Sequence, residues 1–388
     1  MKRERTTTDA ERSAPEALEK LVRQAERSGA SDIHLRMTGE QAEVAFRMDG
    51  VLTAVPALPE VLAARVFGRI KFLARLKTYQ ESLPQDGRID KGDISAQADI
   101  RVATYPTVTG EKIVLRLFSS GNIITLSELG FADDARRELE RFLSGTSGLL
   151  LLTGPAGSGK TTTIYACLRR LADAGGRLEP QLRDAGDVNF ATHMGRKVHA
   201  AGRHIITIED PVEQFIPEVM QTEVNNAVGL DFAKAARHLM RQDPEVLVIG
   251  EIRDEETANI AVRAALTGHM VIATLHAGSC RGVFERLFVM CEDRYSAVSA
   301  VEMVINQRLM RRVCAECGGS GCEPCLGTGY HGRVPVVEWV RVGDELRAGL
   351  REPGAIRVGP AVSLERAAEE LVGRGVTDRA ESLRVFGQ

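Results

Sequence analysis

Apolar positions in this chain change their spacing near residue 131, and the change divides the sequence into two kinds of structure. Before it, short helical and strand-like patterns alternate from Pro15 to Phe118. Leu18, Leu21, Val22 and Ala25 form one helical stripe. Leu62, Val66, Ile70 and Leu73 form another, inside a helix expected from Val61 to Leu76. Val44–Arg47 and Ile113–Phe118 read as strands. Residues 1–14 are charged and Thr-rich and are expected to be a disordered tail. The polar run Ser119-Ser120-Gly121-Asn122 opens a linker expected over residues 119–130, which closes an amino-terminal α/β lobe at 15–118.

After Phe131 the pattern becomes helix, strand, helix, strand. Leu149–Leu152, Ile205–Ile208, Val246–Ile249 and Val271–Thr274 are continuous apolar runs. Runs of this kind suit strands covered on both faces, so an α/β domain with a mainly parallel sheet and crossover helices is expected over 131–388. Residues 174–204, rich in Gly, Arg, Asp and His, interrupt the rhythm and read as a solvated surface insertion. The end of the chain, 340–388, reads as helical.

The chemistry gathers where these strands end. Gly148 to Thr163 carries an apolar strand into Gly154-Pro155-Ala156-Gly157-Ser158-Gly159-Lys160-Thr161-Thr162, with a helix expected from Ile164 to Leu171. This is a phosphate-binding loop in its strand–loop–helix context. Its glycines let backbone N–H groups turn onto phosphate oxygens. Lys160 reaches the β and γ phosphates, Thr161 is placed to hold Mg²⁺, and the helix N-terminus favours anions. The chain is therefore expected to bind a nucleoside triphosphate.

Three acids, Glu209, Asp210 and Glu213, follow the strand at Ile205, and Glu251 follows Gly250 at the end of another. Hydrolysis of a γ-phosphate needs a metal ion and a group that orients water, and these acids suit both tasks. His269 and His276 flank one strand as candidate γ-phosphate sensors. Arg88, Arg101, Lys112 and Arg116 form a basic set in the first lobe, able to supply charge to a nucleotide.

Composition removes some alternatives. The 388 residues carry a net charge of −3, so no global basic field invites nucleic acid. No segment approaches the roughly 20 apolar residues that span a bilayer. A cytoplasmic protein is expected, meeting a membrane only through partners. Of seven cysteines, four crowd into Cys314-x-x-Cys317-x₄-Cys322-x-x-Cys325, and in a cytoplasmic protein that clustering argues for metal rather than disulfides.

Taken in order, these stretches resemble the type II secretion and type IV pilus assembly ATPases. The resemblance rests on Ala30-Ser-Asp-Ile-His34, Phe46-Arg-Met-Asp-Gly-Val51, Leu83-Pro-Gln-Asp-Gly-Arg88 and Gly154–Thr163. It continues through Ile208–Glu213, Arg241-Gln-Asp-Pro244, Gly250–Asp254, Ala265-Leu-Thr-Gly-His269 and Thr274-Leu-His276. It implies a RecA-like ATPase domain preceded by a smaller PAS-like α/β domain, with a cysteine-rich element and a helical subdomain towards the C-terminus. It also implies a homohexameric motor that hydrolyses ATP with Mg²⁺ and works on an inner-membrane platform protein. On the same grounds Glu213 is the expected general base, beside Glu209 and Asp210. Glu251 is the expected Walker B acid, and His269 and His276 the His box. Arg88, Arg101 and Arg116 match positions that serve ATP across subunits, and the four cysteines match a structural zinc element. Two readings compete with the motor: a nucleic-acid translocase on the same scaffold, and a nucleotide-gated scaffold with poor turnover.

Overall fold

The computed structural model describes residues 13–117, 123–173, 202–352, 354 and 356–387. The expected tail up to residue 12, the start of the expected linker and nearly all of the expected insertion lie outside those residues. The chain divides into two compact units, 1–122 with 311–333, and 123–310 with 334–388. The tetracysteine segment therefore groups with the amino-terminal unit, whereas the sequence pattern assigns it to the ATPase part. The linker differs too: Leu126 and Leu129 are buried in the core of the second unit, so that unit begins at Ile123.

The first unit contains α1 (Ala14–Arg27), β1 (Asp32–Met37), β2 (Gln41–Met48), β3 (Val51–Pro59), α2 (Glu60–Leu73), β4 (Gln85–Ile89), α3 (Lys91–Ile94), β5 (Ile100–Thr107) and β6 (Gly110–Leu117). Its six strands run in the order β3-β2-β1-β6-β5-β4, and each neighbouring pair is antiparallel. Strand alternation sends Ile33, Leu35, Phe46, Ile113 and Leu115 to one face, where the apolar stripes of α1 and α2 cover them. The second helix stops at Leu73, short of the expected Leu76, and the chain turns away through Arg75 at φ 59°.

A buried ion pair fixes the approach to β4. Lys71 and Glu111, 2 % and 6 % exposed, meet at 2.7 Å. Lys71 Nζ also donates to the Gln80 carbonyl at 3.1 Å, and the Gln85 amide closes the same loop onto Lys77 and Gln80. Burial pushes the Glu111 carboxyl above the usual range, and Lys71 opposes it. Lys71→Met should leave that carboxyl without its cation, while the Gln80 carbonyl keeps only the Gln85 amide. A loss of about 3 kcal/mol is expected in denaturant unfolding, as for breaking one side of a buried pair.

The second unit contains α4 (Asp133–Leu143), β7 (Gly148–Thr153), α5 (Lys160–Asp173), β8 (Ile205–Glu209), β9 (Met220–Glu223), α6 (Phe232–Leu239), β10 (Val246–Ile249), α7 (Glu255–Leu266), β11 (Met270–Thr274), α8 (Cys280–Met290) and α9 (Arg294–Ala300). After β12 (Val301–Val313) and β13 (Tyr330–Arg341) it ends in α10 (Asp344–Arg351), α11 (Leu364–Gly373) and α12 (Arg379–Phe386). The sheet order is β13-β12-β7-β11-β10-β8-β9, and the six strands from β12 to β9 are parallel. Leu149 and Leu151 enter one core while Leu150 and Leu152 enter the other. That is why the strands read as unbroken apolar runs. Parallel pairing also brings the ends of β7, β8, β10 and β11 to one edge, where sheets of this kind hold ligands.

Candidate functional site

The phosphate loop has the conformation its glycines predict. Gly154, Gly157 and Gly159 adopt φ of 132°, 73° and 91°. A Cβ on Gly154 would meet the Gln307 carbonyl at 2.2 Å, and one on Gly159 would meet the Gln307 side-chain nitrogen at 2.6 Å. Gln307 lies on β12 and also accepts the Thr163 hydroxyl at 2.9 Å, so it supports the loop from behind. Sequence reading missed it, because the contact spans 144 residues. Pro155, Ala156, Gly157 and Thr162 are exposed, whereas Thr161 is half-buried in the first turn of α5. Ser158 Oγ is buried with no partner among the described residues, which suits an acceptor such as a phosphate oxygen.

Lys160 Nζ donates to the Gly154 and Pro155 carbonyls, both at 2.9 Å. Burial lowers its pKa, and the charge of Glu251 works against that shift. Glu251, just past β10, holds His276 Nε2 at 2.9 Å and Arg253 Nε at 2.7 Å on its two oxygens. Arg253 also reaches Asp210 Oδ2 at 3.3 Å and stacks near Phe232. The loop lysine, Glu251, His276 and Asp210 thus form one polar constellation at the carboxyl edge of the sheet. Arg253 bridges the ends of β8 and β10, a role that its place in the sequence does not reveal. Asp254 instead caps α7.

Two expected members differ, one in place and one in its contacts. His269 precedes β11, so it lies at the amino edge, a strand length of about 17 Å from the end bearing His276. There its ring bonds the Ala264 carbonyl at 2.9 Å and Thr267 at 3.1 Å. Glu209 is 6 % exposed, and its oxygens take the Tyr165 hydroxyl and Thr207 hydroxyl at 2.6 Å and the Gln221 amide at 3.0 Å. Three of its roughly four lone-pair sites are thus taken up by donors inside the fold. Glu213 is exposed, and its backbone N–H donates to the same Tyr165 hydroxyl at 3.1 Å.

In the first unit the expected arginines fall into one row. Antiparallel register sets Arg88 opposite Arg101, Arg101 opposite Arg116, Arg116 opposite Asp32, and Asp32 opposite Arg47. Residues directly opposite share a face, here the one turned away from the core. Asp32 takes Arg116 at 3.1 Å and Arg47 at 3.4 Å, while Arg88 pairs with Asp99. Arg47 joins the set only through this register.

The four cysteine sulfurs all lie within 4.8 Å of one another. Cys314–Cys322, Cys317–Cys325 and Cys322–Cys325 are separated by 3.7, 4.0 and 3.5 Å. A tetrahedron with zinc–sulfur bonds of about 2.3 Å has edges of about 3.8 Å, so the donor set fits zinc. Backbone N–H groups of Gly321 and Cys322 point at Cys317 and Cys325 sulfurs, both at 3.2 Å, and favour the thiolate. The short spacer works because two Cys-x-x-Cys turns meet through glycine: a Cβ on Gly329 would strike the Gly319 carbonyl at 2.4 Å. The base of the hairpin is tied to the sheet by the Gly332 N–H, which donates to Asp49 at 2.8 Å.

No helix among the described residues is long and apolar enough to cross a membrane.

A family model described as Type II/IV secretion system protein matches residues 7–178 and 192–384. The chain is 38% identical over 383 residues to the type II secretion system protein HxcR of Pseudomonas aeruginosa, covering 94% of this chain and 76% of HxcR. It is 35% identical over 375 residues to the protein transport protein HofB homolog of Haemophilus influenzae, covering 96% and 73%. With the type IV pilus assembly ATPase PilB of Thermus thermophilus, identity is 36% over 368 residues, 88% of this chain but 38% of PilB. The solved structure of the Legionella pneumophila ATPase DotB matches with a TM-score of 0.67 at 18% identity, covering 97% and 96% of the two chains. That last likeness is one of fold.

Proposed function

Because this chain belongs to the Type II/IV secretion system protein family, we propose that it is an ATP-hydrolysing homohexameric motor driving protein secretion or type IV pilus assembly. Its work would be delivered to an inner-membrane platform protein, with the chain itself on the cytoplasmic side. The observation that carries this reading is the phosphate loop with Lys160, Glu251, His276 and Asp210 gathered at one edge of a parallel sheet.

Residues 154–162 would cradle the phosphates, with Lys160 moving from its loop carbonyls to the β and γ oxygens. Mg²⁺, when bound, supplies charge neutralisation between these phosphates. Thr161 would hold it directly and Glu251 from two residues beyond the strand end. Glu213, on an exposed loop, would orient and deprotonate the attacking water, and Asp210 would keep Arg253 and Glu251 in place. The row of Arg88, Arg101 and Arg116 would serve a nucleotide held by a neighbouring subunit. His269 and Glu209 have structural partners that support a framework role for each.

The mass of the purified chain with and without a non-hydrolysable ATP analogue tests the ring. A nucleotide-strengthened hexamer supports it, and a nucleotide-bound monomer overturns it. Zinc measured on the same sample tests the cysteine site. One zinc per chain is expected, and Cys317→Ser should lower both zinc content and the melting temperature. Unchanged metal content in that variant would remove the zinc assignment.

A further inference from the structure

The segment between β8 and β9 carries Glu213 yet belongs to no helix or strand. Its backbone groups must therefore find partners elsewhere. Tyr165 supplies two of them. It sits on α5 five residues after Lys160 and is 5 % exposed. Its hydroxyl donates to Glu209 Oε2 at 2.6 Å and accepts the N–H groups of Glu213 and Gln214, each at 3.1 Å. A phenol offers one hydrogen and two lone pairs, which these three short bonds take up, with the Gln221 amide nitrogen a further contact at 3.5 Å.

Gln221, on β9, secures the next residues. Its amide donates to the Gln214 carbonyl at 3.0 Å and accepts the Ile216 N–H at 2.7 Å. The same amide donates to Glu209, which Thr207 holds from the other side. Burial, reinforced by the Glu209 carboxylate, holds the Tyr165 phenol far above its ordinary pKa, so it remains a donor at any working pH. The outcome is a closed polar cluster with Tyr165 at its centre, one helical turn and a half from the phosphate-loop lysine.

We propose that Tyr165 is a positioning residue: its hydroxyl ties the phosphate-loop helix to the backbone of Glu213, so that nucleotide and base keep one geometry. The proposal rests on Glu213 being the general base. Tyr165 is enclosed by the protein and acts through Glu213 without touching the nucleotide. A displacement of about 1 Å in a reacting group costs about 10²-fold in rate, which sets the scale of the effect.

Tyr165→Phe keeps the ring and removes the hydroxyl. With the full-length chain, kcat for ATP should fall about 10²-fold while affinity for a non-hydrolysable ATP analogue stays within about threefold. Placed in a Glu213→Gln background, the same change should cost nothing more, because the group it positions is already gone. A folded Tyr165→Phe chain with wild-type kcat would overturn the proposal, as would losses that multiply in the double variant. If Tyr165→Phe does not fold, Gln221→Met reads the same tether from its half-exposed end. It should show the same loss in kcat at constant affinity, and an unchanged kcat would again overturn the proposal. A Glu213→Gln chain that hydrolyses at the wild-type rate would remove the base itself, a failure distinguishable from an unaffected Tyr165→Phe.

Discussion

Lys160→Ala should bind a fluorescent ATP analogue too weakly to measure at micromolar concentrations, with hydrolysis reduced on the order of 10³-fold. In the proposed use of the loop, the lysine is the one side chain that would put a full positive charge on the β and γ phosphates. Its resting bonds to the Gly154 and Pro155 carbonyls keep it at the loop, so little ordering is left for the nucleotide to impose. Truncation also removes a charge that Glu251 faces, which leaves that carboxylate to His276 and Arg253. The fold should survive, because Lys160 is only half-buried and one of its two carbonyl partners, Pro155, is exposed. Retention of wild-type analogue affinity in a folded Lys160→Ala chain would contradict this use of the loop.

Glu213→Gln should separate binding from chemistry. Loss of a general base lowers rates by about 10²- to 10⁴-fold, and here the fall should appear in kcat with analogue affinity preserved. The substitution keeps the side chain's size and leaves the Tyr165 bond untouched, since that bond is made by the Glu213 backbone. Glu209→Gln is the informative contrast. Glu209 is enclosed by three donors, so that change should act first on stability, read as a lower melting temperature. A Glu213→Gln chain that turned over normally would transfer the role of base to another acid.

The parts of the site carried by contiguous sequence were legible. Apolar runs located the buried strands, and their carboxyl ends located the loop, Asp210, Glu251 and His276. Strand polarity also held the signal against His269, because a residue that precedes a parallel strand lies at the amino edge. Glu209 was harder. It ends β8 as a catalytic acid would, and its burial depends on Gln221 from β9 and Tyr165 from α5. Arg47 and Asp32 join the arginine row through pairing between strands up to 84 residues apart, which spacing alone does not encode. Gln307 supports the phosphate loop across a still longer separation. The cysteine pairs were visible as a candidate metal site, but their grouping with the first unit depends on tertiary contacts such as that between Gly332 and Asp49.

The central claim is that assembled chains hydrolyse ATP at this loop. It is tested most directly by phosphate release per chain, with ATP and Mg²⁺, across a range of protein concentrations. Arginines acting on a neighbour's nucleotide predict saturable turnover that rises steeply as rings form and is lost in Lys160→Ala. Turnover per chain that is absent at every concentration would contradict the account.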